Sequence, residues 1–202
     1  MNKKIYFNDK SISFSINESQ ASHNQTIKFI TTNEYEKLNN IIKAFLDISN
    51  PESIILSGLN FEDVFNFLKN NFYYIEAAGG VIENNNKILF IKRLGKWDLP
   101  KGKLDKNETI ENAAIRECEE ECAVKNLKIL KQLHSTFHIY PYKKSFAIKQ
   151  TFWFFMKTNY NEGLVPQTEE DITEVQWFTK HEINNIVLNN TYLTITDVLN
   201  DI

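Results

Sequence analysis

GKLDKNETIENAAIRECEEECAV, the stretch from Gly102 to Val124, decides how this chain folds. Thr109 is a residue type that caps a helix N-terminus, Asn107 and Gly102 hold the preceding loop out of helical geometry, and Glu111 lies near the positive end of the helix dipole. The spacing predicts a helix from about Ile110 to Cys122. At about 100° per residue, Glu117, Glu120 and Glu121 fall on one face, because side chains three and four residues apart are neighbours. Ala113 and Ala114, one turn earlier, leave that side open. Ile115, Cys118 and Cys122 turn to an adjacent face and are expected to pack on the core, Cys122 with partial exposure. Crowded carboxylates repel one another and lose hydration, a cost that a hard divalent cation relieves. A merely solvated acidic face, the usual meaning of a charge run, leaves the upstream spacing of Gly102 and Glu108 unexplained.

The stretch resembles the Nudix box, G-x5-E-x7-R-E-U-x-E-E-x-G-U with U aliphatic. Gly102, Glu108, Arg116, Glu117, Glu120, Glu121 and Val124 take the defined positions. Cys118 stands in an aliphatic slot and Ala123 replaces the last glycine. The resemblance implies a hydrolase in which metal-activated water attacks a diphosphate joined to some group X. It implies Mg²⁺ as the cofactor, with Mn²⁺ as a substitute. Glu120 and Glu121 are implied metal ligands, the Gly102 carbonyl a further one, and Glu117 either a ligand or the general base. Arg116 is expected to orient these carboxylates, through Glu108, rather than to touch substrate. A Nudix scaffold that binds a nucleotide or a partner without cutting is the rival reading.

The neighbouring sequence agrees. Ala77 to Val81 and Lys87 to Lys92 flank a polar segment, Glu83 to Asn86, and read as two strands joined by a turn. Ala78, Gly79 and Gly80 are small enough for close backbone approach beneath a ligand. Trp97 to Gly102 is W-D-L-P-K-G, similar to the segment before the box in Nudix enzymes acting on nucleoside or dinucleoside polyphosphates. Trp97 is expected to pack rather than stack on a base. Arg93 and Lys101 are candidate phosphate contacts, by fork and by point charge. Leu127 to Tyr140 and Ser145 to Met156 read as a hairpin about the turn Pro141 to Lys144. Lys149 is a third candidate for the phosphates, near Tyr140, Tyr142, Lys143 and Lys144. His134 and His138 are four apart in a strand-like run and are expected to face the same side, and metal binding by that pair is not expected without carboxylates beside it. Nudix enzymes often draw another acid from a loop at the stage occupied here by Pro166 to Ile172. Glu170 is the first candidate and Glu169 the second. Strand-like Glu174 to Phe178 and helical His181 to Val187 and Thr194 to Leu199 follow.

The resemblance covers residues 76–202. Residues 1–75 read as a small α+β module: a hairpin of Ile5 to Phe7 and Ile12 to Ile16, strands at Thr26 to Thr31 and Ser53 to Leu56, and two helices. The capping pairs Asn33 with Glu36 and Asn60 with Asp63 start those helices, which run to about Leu46 and Leu68. No nucleotide motif marks this module, so dimerisation or a place beside the substrate is its expected role, with pure scaffold as the alternative. The formal net charge of −3 over 202 residues offers no general attraction to long nucleic acid and favours a small nucleotide or polyphosphate substrate. No stretch has membrane-spanning length, and Met1 to Phe7 lacks the apolar core of a secretion signal. Two cysteines four apart on one helix suit a reducing, cytoplasmic setting. The fold expected is α/β, a Nudix α/β/α sandwich with a mixed sheet, plus the N-terminal module and with homodimerisation open. Substrates expected first are nucleoside triphosphates or dinucleoside polyphosphates. A diphosphoinositol polyphosphate, a nucleotide sugar or an RNA 5′ end is the further range, because group X is read by loops outside the box.

Overall fold

The computed structural model describes residues 3–14, 27–32, 34–49 and 52–202. The chain divides into two compact units: residues 1–74 with 137–149, and residues 75–136 with 150–202. The expected cap Asn33, the strand start Thr26 and the strand end Ile16 lie outside the described residues.

In chain order the elements are β1 (Ile5–Phe7), β2 (Lys10–Phe14), β3 (Ile27–Thr31), α1 (Tyr35–Leu46), β4 (Ser53–Ser57), α2 (Phe61–Asn71), β5 (Tyr73–Asn84), β6 (Lys87–Arg93), β7 (Lys96–Asp98), β8 (Lys101–Lys103), α3 (Ile110–Cys122), β9 (Lys128–Gln132), β10 (Thr136–Tyr142), β11 (Ser145–Lys157), β12 (Ile172–Thr179), the single turn α4 (Lys180–Glu182) and α5 (Leu193–Leu199). A 3-10 turn, Thr168–Glu170, precedes β12, and α4 runs on into a π-helical turn, Ile183–Val187.

In the first unit β1 and β2 form an antiparallel hairpin, β4 pairs parallel with both β2 and β3, and β1 pairs parallel with β10 through Ile5↔Phe137 and Tyr6↔His138. Ile5, Phe7 and Ile12 from the hairpin pack with Leu38 and Phe45 of α1 and Val64 and Leu68 of α2. Phe137, Ile139 and Ile148 belong to this same core. The Asn60 side chain accepts from Asp63 N at 3.0 Å and Asp63 returns the bond, so the predicted capping box starts α2.

The second unit is built on the sheet order β12-β6-β5-β11. Asn85 and Asn86, at φ 50° and 62°, make the β5–β6 turn, a conformation that asparagine tolerates better than most residues. Alternate residues of β6 feed two separate cores. Leu89 and Ile91 pack with α3, whereas Ile88 and Phe90 pack with Ile195 and Val198 of α5. A strand covered on both faces reads as an unbroken apolar run, as Ile88 to Ile91 does. The result is the expected α/β/α sandwich with a mixed sheet.

Two local expectations are corrected. Leu127 to Tyr140 is not one strand: it breaks into β9 and β10, because Leu133 N donates to Trp153 O while His134 N turns away to Asp201 Oδ2 at 3.1 Å. The small residues of β5 make room for protein rather than ligand. A Cβ on Gly79 would strike the Pro100 carbonyl and Lys101, and one on Gly80 would crowd Cys118 Sγ and Met156 Sδ. No helix among the described residues is long and apolar enough to cross a membrane.

Candidate active site

Helix α3 carries the site. Thr109 caps it, its hydroxyl accepting from Asn112 N at 3.3 Å, and Ala123 ends it in the left-handed conformation at φ 54°. Ala113, Ala114, Cys118 and Cys122 seat the helix on the core. Cys122 is fully buried, against the partial exposure expected of it. This seating carries part of the acidic face inward: Glu121 is fully buried, Glu117 nearly so, and Glu120 stays exposed.

Arg116 binds the row together. Its Nε and Nη2 donate to Glu108 Oε1 and Oε2 at 2.9 and 2.8 Å, and Nη1 donates to Glu117 Oε1 at 2.7 Å and Glu120 Oε2 at 3.0 Å. Nη2 also donates to the Lys103 carbonyl, which ties the loop before the helix to the helix itself. The guanidinium's hydrogen bonds hold the Glu108 carboxyl down at about 2. Glu117 moves the other way: burial raises its pKa, and the negative charges of Glu120 and Glu170 add to the rise against the opposing pull of Arg116. A Cβ at position 102 would overlap the Glu117 carboxylate, so glycine there leaves that carboxylate its place.

Glu121 has the most constrained setting. Its Oε2 accepts from the Lys101 backbone N at 2.9 Å, and its Oε1, buried, has no hydrogen-bond partner among the described residues. Burial pushes its pKa up to about 7, although Lys101 pulls in the opposite sense. Lys101 itself is partly buried. Its ammonium donates to Asp98 Oδ2 at 2.6 Å, and although burial disfavours the charge, Asp98 and Glu121 outweigh that effect and raise the lysine pKa.

The loop after β11 reaches the same place. Val165 N donates to Cys122 O and Gln167 N to Glu121 O, which fastens the loop to the end of α3. Glu170 then lies close enough for its charge to raise the pKa of both Glu117 and Glu121. Arg93 pairs with Glu170 at 3.4 Å. The structure therefore brings together Gly102, Arg116, Glu117, Glu120, Glu121, Glu170, Arg93 and Lys101. Lys149 belongs to the other compact unit, where its ammonium lies over the Tyr140 ring. Trp97 packs edge-on against Phe178 as expected of a core residue. Sequence reasoning gave no role to Asp98; the signal available was an acid between apolar Trp97 and Leu99, three residues before a lysine.

With Arg116 holding Glu117 and Glu120, no three His, Cys, Asp or Glu side chains converge for an ion among the described residues. The donor set nonetheless fits a hard divalent cation: it is all oxygen, and Glu121 offers a buried acceptor without a partner. A shallow groove of about 560 Å³ on the outer side of the helix is lined by Glu108, Ile115, Arg116, Glu119, Glu120 and Lys125 among others, and it includes neither Glu117 nor Glu121.

The NUDIX domain model matches residues 74–197. This chain belongs to the NUDIX family. It is a Nudix hydrolase, and enzymes of this family generally work with divalent metal ions. The chain is similar to the RNA pyrophosphohydrolase of Pelagibacter ubique (strain HTCC1062), 26% identical over 123 residues, which span 54% of this chain and 78% of that protein. A second RNA pyrophosphohydrolase, from Erythrobacter litoralis (strain HTCC2594), is 39% identical over 57 residues, 25% of this chain and 35% of its own length. Among solved structures, a NUDIX hydrolase from Nitrosomonas europaea aligns with a TM-score of 0.47 at 26% identity, covering 63% of this Nudix chain and 68% of its own.

Proposed function

We propose that this Nudix hydrolase is a Mg²⁺-dependent pyrophosphohydrolase that cleaves a nucleoside diphosphate linked to a group X, with a nucleoside triphosphate or dinucleoside polyphosphate as the first substrate class. The observation that carries the reading is Glu121, fully buried with one oxygen held by a backbone amide and the other without a partner among the described residues. A solvated acidic helix has no reason to bury such a group, because an unpaired buried polar atom destabilises the fold unless something else satisfies it.

The Gly102 carbonyl, Glu117, Glu120 and Glu121 are the residues to hold Mg²⁺ or Mn²⁺. When bound, the ion neutralises phosphate oxygens and acidifies water. Glu170 takes the proton as the water oxygen bonds to phosphorus, and the bridging P–O bond breaks with its electrons passing to the leaving phosphate. Arg116 keeps Glu117 and Glu120 in register from the side. Arg93, paired with Glu170, supplies a fork for phosphate oxygens. Residues 76–202 carry this chemistry, and residues 1–75 support it by dimerisation or on the substrate side, in a cytosolic setting.

A second reading within the same chemistry is an RNA 5′ end as substrate, favoured by the two relatives bearing the name RNA pyrophosphohydrolase. Products separate the two. Product identification across a panel of nucleoside triphosphates, dinucleoside polyphosphates and 5′-triphosphate oligoribonucleotides, with Mg²⁺ and with chelator, names group X: pyrophosphate with a 5′-monophosphate comes from the triphosphates, and two unequal nucleotides come from a dinucleoside polyphosphate. Glu120→Gln and Glu121→Gln are each expected to lower turnover at least about a hundredfold while the protein stays folded. Unchanged rates in both variants, or nucleotide binding without turnover under Mg²⁺ and Mn²⁺, would remove the assignment.

A further inference from the structure

We propose that the largely buried Asp98–Lys101 ion pair is a positioning device for Glu121, so that Lys101 serves through its backbone N–H and not through an ammonium offered to the substrate. The side chains of Lys101 and Asp98 are only 12% and 7% exposed. Lys101 Nζ donates to Asp98 Oδ2 at 2.6 Å and reaches the Leu99 carbonyl at 3.4 Å, while Asp98 Oδ1 accepts from Leu99 N at 2.8 Å. Residues Asp98 to Lys101 are thus closed on themselves by one acid bonded at both oxygens. Pro100 inside the closure has its φ fixed by its own ring.

The closed segment is also held from outside. Trp97 N donates to Asn190 O at 2.9 Å, and Thr191 Oγ1 donates to Trp97 O at 2.7 Å. On the other side, Gly80 N donates to Pro100 O at 3.1 Å, and β8 pairs with β5 through Gly79↔Lys101. With the segment held in this way, the Lys101 N–H donates to Glu121 Oε2 at 2.9 Å. That bond fixes the rotation of the Glu121 carboxylate and determines which oxygen stays unpartnered. A lysine meant for phosphate would have to leave Asp98, stranding a buried carboxylate, which is strongly unfavourable.

The inference rests on the role given to Glu121 above, and the experiment keeps the two apart. Asp98→Asn, Lys101→Met and the double variant are compared with wild type by three readouts: amide hydrogen exchange at Lys101 in metal-free protein, binding of Mn²⁺ alone, and steady-state kinetics. The expected result for each variant is Lys101 exchange at least about tenfold faster with β6 and α3 still protected, Mn²⁺ affinity down about 10–100-fold, and a fall in kcat with KM within about twofold. A rise in KM from Lys101→Met with exchange, Mn²⁺ affinity and kcat unchanged would overturn the proposal in favour of substrate contact. Should the single variants unfold because each leaves one buried charge, the double variant removes both, and wild-type exchange and Mn²⁺ affinity in it would equally overturn the proposal. Turnover surviving Glu121→Gln would dismiss the functional reading alone, while exchange at Lys101 still decides the positioning role.

Discussion

At Ala123 the polypeptide adopts φ 54°, a left-handed conformation in which a Cβ meets the following carbonyl. The family pattern has glycine at this position, and the helix end explains why: α3 stops on a left-handed residue whose N–H donates to Glu119 O. Ala123→Gly is therefore expected to raise stability by about 1 kcal/mol, seen as a higher urea midpoint at unchanged slope; a lower midpoint would contradict it. Single residues also mark the limits of reading a sequence. The pairing of Arg116 with Glu108 was legible, since the box spacing places a fixed cation against a fixed acid. The partner of Lys101 was not, because a lysine's charge is the same whether it faces water, phosphate or Asp98. Nor did the helical face show that Glu121 is sealed and Glu120 exposed; that depends on Lys101 and Gln167, which approach α3 from other parts of the chain.

Among the elements, α5 is attached to the β9–β10 junction by His134. The ring Nδ1 is 2.6 Å from Asp201 Oδ2, Nε2 is 3.6 Å from Asp197 Oδ2, and Lys131 Nζ donates to the Asp201 carbonyl. Asp197 above all, and then Asp201, raise the His134 pKa against the opposing effect of burial. Asp201 is lowered by its bonds with His134 although its own burial works the other way. A raised histidine stabilises fully below its unfolded value of 6.5, and that stabilisation fades as pH climbs through the folded value. A depressed aspartate stabilises above its unfolded value of 3.8 and loses the effect as pH falls through the folded one. Urea midpoints between about pH 6 and about pH 9 should decline for wild type, and His134→Gln should flatten that decline. An identical slope in both proteins would show that the junction does not titrate. Both ends of α3 could be read from caps and periodicity. The break between β9 and β10 could not, because its cause is an aspartate close to the opposite end of the second unit in sequence.

For the whole molecule, the division of the chain differs from a simple cut between residues 75 and 76. Phe137 to Lys149 belongs with the N-terminal unit, contributing β10 as the partner of β1 and placing Phe137, Ile139 and Ile148 in its core. Residues 1–75 expressed alone are expected to show no cooperative urea transition by circular dichroism, since they lack that strand and those side chains. A sharp two-state transition would prove them self-sufficient. Alternation marked the β1–β2 hairpin, and β3 and β4 read as strands, but β10 was hidden in a longer run and no local pattern tells which distant strand will pair with β1. Timing follows from this arrangement. During synthesis the N-terminal residues leave the ribosome first, yet their core must wait for the hairpin of β10 and β11 to emerge, after α3 and its row of glutamates have already been made. The earliest part of the chain is among the last to be completed, and until then its apolar side chains are a surface for chaperones to cover.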